Sequence, residues 1–186
     1  MFSRSFTALA LFSALLLFSC SGITGGADAS RTLTELIGTS DTVSQTLAAI
    51  DTAEVTSLVE SSDEVKAVFA KNVHDTLDLV FAEKLDAFLR ANMYLKHFNE
   101  QRGKCEKANK AARERLVLLR KDIEQQAGDR SEYAVYIRKE TAEMQQIRNH
   151  SVLLKRTFEA SKAAIAQFQP EIGRFISRFV QPVTAP

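Results

Sequence analysis

The sequence predicts an all-α domain: an up-and-down bundle of about four long helices with coiled-coil-like packing and a short C-terminal amphipathic helix. Three observations carry this. The last long segment places core-type residues at alternating spacings of four and three, the signature of left-handed helix packing. The body is poor in chain breakers, since three of the seven Gly stand at positions 22, 25 and 26 and only three Pro occur. No stretch alternates apolar and polar residues for long enough to suggest a strand. With 45% hydrophobic residues the chain is too apolar for disorder.

The bundle is expected over residues 31–180. Thr32 and Glu35 have capping-box spacing and open a short helix that Gly38 ends. Ser40 or Asp41 caps a second helix, and Asp51 with Glu54 can restart it. Ser61-Ser62-Asp63-Glu64 reads as a strong helix start, with two acids in the first turn where the helix dipole favours them. From Asp63 to Phe98 runs the most apolar helix. The polar stretch after it is given a turn around Gln101-Arg-Gly-Lys104. Leu116, Leu119 and Ile123 form a modest seam, and Gly128-Asp129 ends that helix and caps the next.

The seam of the last segment is Tyr133, Ile137, Glu140, Met144, Ile147, Ser151, Leu154, Phe158, Ser161, Ile165, Phe168 and Ile172. Pro170 removes a helical hydrogen bond, so a kink or a new helix is expected there. Beyond it Ile172, Phe175, Ile176 and Phe179 form a stripe opposite Arg174 and Arg178. Residues 181–186 should fray.

The N-terminus has a different character. Arg4 precedes the apolar run Phe6 to Phe18, which is too short for a span of roughly 20 residues and suits a signal peptide over residues 1–19. The tetrad Leu17-Phe18-Ser19-Cys20 resembles the lipobox of bacterial lipoproteins, with Phe18 bulkier than usual. The resemblance covers only the first twenty residues. It implies a lipid on Cys20 and, with two or more acyl chains, stable membrane anchoring. Ser21 after the cysteine resembles the outer-membrane sorting pattern of Gram-negative lipoproteins. Residues 20–30 then read as a Ser/Gly/Ala-rich tether.

Charge is divided along the chain. Cys20 to Leu95 holds five Lys/Arg and twelve Asp/Glu, a balance of −7; Lys96 to Pro186 holds eighteen and eleven, a balance of +7. The surplus is densest from Lys96 to Lys121, which makes Lys96, Arg102, Lys104, Lys107, Lys110 and Arg113 candidate anion contacts. The competing expectation is that this helix packs beside the acidic first half and the two fields neutralise. Nucleic acid is excluded as a partner by export. Phe175, Ile176, Phe179, Arg174 and Arg178 are candidates for a membrane interface, or for a terminal helix that closes the bundle.

Cys105 lies among Arg102, Lys104 and Lys107, which would lower its pKa. With Cys20 acylated it has no intrachain partner, so at most a minor disulfide dimer is expected. His74 and Asp78 stand four apart on one helical face, and His97 and Glu100 three apart. Neither pair reaches the three or four ligands of a metal centre, so no metal or other cofactor is expected. No phosphate loop, nucleophile elbow, CxxC or HExxH motif occurs. The expected function is therefore non-enzymatic: an envelope lipoprotein whose bundle is a structural or protein-interaction module, with an envelope protein as partner and no small-molecule ligand. The alternative is a module that binds an anionic envelope component through residues 96–121.

Overall fold

The computed structural model describes residues 26–74, 76–127 and 131–180. Expectations placed on Cys20, on Asp129 and on the tail 181–186 lie outside them. Five helices occur among the described residues: α1 (Gly26–Ala48), α2 (Thr52–Asn72), α3 (Leu79–Lys96), α4 (Phe98–Glu124) and α5 (Tyr133–Ile176).

They form three rods. The first is α1 followed by α2, the second α3 followed by α4, and the third is α5 alone, 44 residues long. Arg113 and Arg102 of α4 reach Asp41 and the Leu47 carbonyl of α1, so those two helices run antiparallel. Lys84 of α3 meets Glu171 of α5, and Arg115 of α4 meets Glu140, so the whole second rod is antiparallel to α5. Glu54 and Phe69 of α2 meet Lys162 and Phe175, so α2 runs parallel to α5. The result is an up-down-up bundle in two halves. The half at the start of α5 holds α1 and α4; the half at its end holds α2 and α3. Helices α1 and α2 do not pack side by side.

The seams explain why the rods break where they do. In α5 the predicted positions from Ile137 to Ile165 are all buried, with no slip in spacing. In α1 and the link just after it, Ala29, Leu33, Leu36, Ser40, Val43, Leu47 and Ile50 are buried at the same alternating spacing. The next buried residue, Val55, comes one position later than the pattern requires, and the interruption between Ala48 and Thr52 absorbs the extra residue. The second rod slips the other way. Phe81, Leu85, Phe88, Asn92 and Leu95 set a phase in α3 that would next bury Asn99. Phe98 is buried instead and starts the α4 seam with Cys105, Asn109, Ala112 and Leu116. One residue of slip turns a helix by about 100°, and the chain takes it up by leaving helical geometry at His97 (φ −101°, ψ 2°).

Several expected boundaries are corrected. Residues 26–30, expected in the tether, already belong to α1, because Ala29 fills the core. Helix α1 runs through Gly38, Ser40 and Asp41; Thr32 bonds back to the Asp28 carbonyl and does not cap. Asp51 does cap α2, accepting from the amides of Ala53 and Glu54. Ser61 to Glu64 lie inside α2, where Ser62 is buried and Asp63 is committed to α3. The long helix expected over Asp63 to Phe98 is two helices, and Asp78 caps the second by accepting from the Phe81 amide. No turn occurs around Gly103: α4 is continuous, and the outward face of Gly103 meets nothing that would force a break. Helix α4 ends before Gly128, on Gln126. That residue sits in the left-handed region (φ 57°), and the Ala127 amide bonds back to the Asp122 carbonyl, a Schellman closure made without glycine. Helix α5 passes through Pro170 and starts no new helix, so the separate C-terminal helix is its last turns.

Candidate functional site

Three surfaces collect the residues with chemical potential. The first is the outer face of α4. Of its six candidate cations, four are engaged within the fold. Lys96, on the last turn of α3, bonds Asp63 at 2.9 Å. Lys104 pairs with Glu100 one turn earlier on α4. Arg113 bridges to Asp41 of α1. Arg102 is half-buried, and its Nε donates to the Leu47 carbonyl at 3.0 Å while Glu106 holds the other side of the guanidinium. It thus gives the Leu47 carbonyl, which also accepts from the Ile50 amide, a second donor and complements the negative end of α1. Lys107 and Lys110 are exposed and form no ion pair among the described residues. The acidic first half and the basic second half do meet, across α1–α4 and α2–α5.

Asp63 shows the consequence. Its carboxyl is held below the ordinary range, first by the hydrogen bond with Lys96 and next by the Asn92 amide, against the opposing pull of desolvation. The Cys105 expectation is reversed. The residue is 2% exposed, its Sγ donates to the Ile147 carbonyl at 3.8 Å, and burial pushes the thiol up, with Glu106 adding to the rise. The basic neighbours do not offset this, since Arg102 and Lys104 turn to other partners. A buried, protonated thiol is neither a nucleophile nor an available disulfide partner.

The second surface is the end of the bundle where α3 begins and α5 finishes. Phe175 stacks on Phe81 at 4.0 Å and on Phe69 at 6.4 Å, and Ile176 is buried. These two candidate membrane contacts therefore close the core. Phe179 leans on Phe175, and the Arg178 guanidinium lies over the Phe175 ring at 5.8 Å. Arg174 and Arg178 line a groove of about 420 Å³ there with Asp78, Lys84 and Glu171. Lys84 and Glu171 neutralise each other at 2.6 Å, and the exposed apolar residues beside the groove are Leu79 and Val80.

The third surface was not legible in the sequence. Where the second rod breaks, a groove of about 450 Å³ opens between that rod and α5. Met93, Tyr94 and His97 line one side and His150 and Leu153 the other. Met93, Tyr94 and Leu153 are each more than half exposed. The two histidines are distant in sequence, and no local spacing signals their meeting. The His74–Asp78 pair is not on a helix; it lies in the link before α3. Among the described residues no three His, Cys, Asp or Glu side chains gather where they could hold a metal ion, and no helix is long and apolar enough to cross a membrane.

Three of the buried polar side chains join helix to helix, while the buried Ser40 and Ser62 hydroxyls have no hydrogen-bond partner among the described residues. Asn109 donates to the Ser40 carbonyl at 3.0 Å and to Ser44 at 2.9 Å, joining α4 to α1. Asn92 donates to Asp63 at 2.7 Å, joining α3 to α2. Glu140 accepts a two-pronged contact from Arg115, at 2.8 and 3.2 Å. No protein-family model, no curated protein and no solved structure matches the chain.

Proposed function

We propose that the chain is a membrane-anchored envelope lipoprotein whose helical bundle is a structural or protein-interaction module. The observation that carries the anchor is the tetrad Leu17-Phe18-Ser19-Cys20 behind a short apolar run. The start of α1 at Gly26 suits it, because the few residues after Cys20 can extend only about 3.5 Å each and would keep that end of the bundle near the bilayer. The module reading is supported by the use of the interior. Its carboxylate and its two amides join helix to helix and do not converge on an open pocket. The anionic-component alternative is weakened, since four of its six candidates, all but Lys107 and Lys110, are engaged among the described residues.

Mass spectrometry of the mature protein tests the anchor. The expected N-terminus is an acylated Cys20, and Cys20→Ala should abolish the acyl mass and release the chain from the membrane fraction. A wild-type N-terminus without acyl groups would overturn the proposal.

A further inference from the structure

We propose that the bundle is a jointed rod that bends at one level, with α5 as the flexing spine. Two of its three rods are interrupted there. The break before Asp51 and the break at His97 lie at the same height, because Phe98 packs on Phe158 at 5.8 Å while Glu54, just past the other break, reaches Lys162 at 2.5 Å. Asn99 and Thr56, each just beyond its break, meet at 3.4 Å. Among the described residues only α5 crosses this level as continuous helix. Bending a bundle of three unbroken helices strains every backbone ladder; here it strains one.

Each half has its own seam and its own pin. The one-residue slips mean that the halves follow separate seam phases. Each half also carries its own buried amide pinning its own pair of helices: Asn109 between α4 and α1, Asn92 between α3 and α2. A buried Asn in a helical seam fixes register, so neither half depends on the joint for its alignment. The joint is packed, with Val55, Leu95 and Phe98 buried around it, but its helix starts are unevenly secured. Helix α4 starts there without a side-chain cap, whereas α2 carries its own in Asp51. Hinges characteristically fall on such element-terminal residues.

The groove sets the direction. It opens at the joint between the second rod and α5, with Met93 and Tyr94 facing Leu153 across about 450 Å³. Closing the angle on that side brings these apolar side chains together; opening it strips them apart. The two shapes therefore differ in exposed apolar surface at mid-length, on the face that carries His97 and His150.

Distance measurements between spin labels test this in the full, lipidated chain with Cys105→Ala. Labels at exposed Glu35 on α1 and Glu64 on α2 report across the joint. Labels at Glu35 and Lys110 on α4 report within one half and serve as the reference for label flexibility. The expected result is a distribution across the joint clearly wider than the reference. Substituting Leu153→Trp to fill the groove should narrow it. A cross-joint distribution as narrow as the reference would overturn the proposal, and so would one that Leu153→Trp leaves equally broad.

Discussion

Glu140 carries a carboxylate into the seam between α4 and α5, where its side chain is 10% exposed. It is tolerated because Arg115 presents both Nε and Nη2 to it and also reaches Glu143 at 2.6 Å. The same contacts hold the Arg115 guanidinium above its ordinary value, chiefly through the hydrogen bond with Glu140. Arg115→Ala strands the carboxylate. The expected loss is about 2 kcal/mol in urea unfolding, below the roughly 3–5 kcal/mol of a fully buried pair because Arg115 is partly solvated. Arg115→Met combined with Glu140→Leu should recover most of that loss, since a hydrophobic pair fills the same space without desolvated charge. A double variant as weak as the single one would show that the pair contributes net stability of its own.

Pro170 makes the corresponding point for an element. It stands inside α5, where a proline removes one backbone hydrogen bond and costs roughly 3 kcal/mol in a helix interior. The helix continues because Ile172 and Ile176 are buried beyond it and Phe175 stacks on Phe81 and Phe69. Each such side chain contributes roughly 1.5–3 kcal/mol on burial. Pro170→Ala should therefore stabilise, by about 1–3 kcal/mol, with a higher Tm in calorimetry and no change in helix length. The same contest explains which elements were legible. The α5 seam could be read directly because its core positions are mostly large and apolar. The α4 seam has the same spacing but uses Cys105, Asn109 and Ala112, so only Leu116, Leu119 and Ile123 stood out. In α1 the buried Ser40 interrupts the apolar pattern and was taken for a cap. Capping-box sequences at Thr32 and Ser61 lost to helices already running through them, since a cap matters only where a helix starts. The His97 break has no Gly or Pro; its cause is a phase slip visible only when both seams are known. That His97 and His150 line one groove depends on the pairing of rods, which spacing within one segment does not encode.

The molecule as a whole is long and thin. A 44-residue helix measures about 66 Å, and α5 spans the bundle. Small-angle scattering of a chain beginning at Ser21 should give a radius of gyration of about 20 Å, against about 15 Å for a sphere of this many residues. A value near the lower figure would mean that the rods fold back on themselves. With the anchor proposed at Cys20, the start of α1 is the near end, and the α3 start with Leu79, Val80, Arg174 and Arg178 is the far end.

The single spine also sets a timetable. Ribosomes build α1 to α4 first, yet neither half has its third wall until α5 follows: the first half needs Ile137 and Met144, the second Ile165 and Ile172. Glu54 waits for Lys162, more than a hundred residues downstream. Contacts this distant along the chain form late, after the entropy of closing the intervening loop has been met. A nascent chain stopped short of α5 holds two amphipathic rods with their seams open, and one stopped near residue 150 can complete only the half that holds α1 and α4. The C-terminal quarter is thus the part whose arrival decides when the protein becomes a folded object at all.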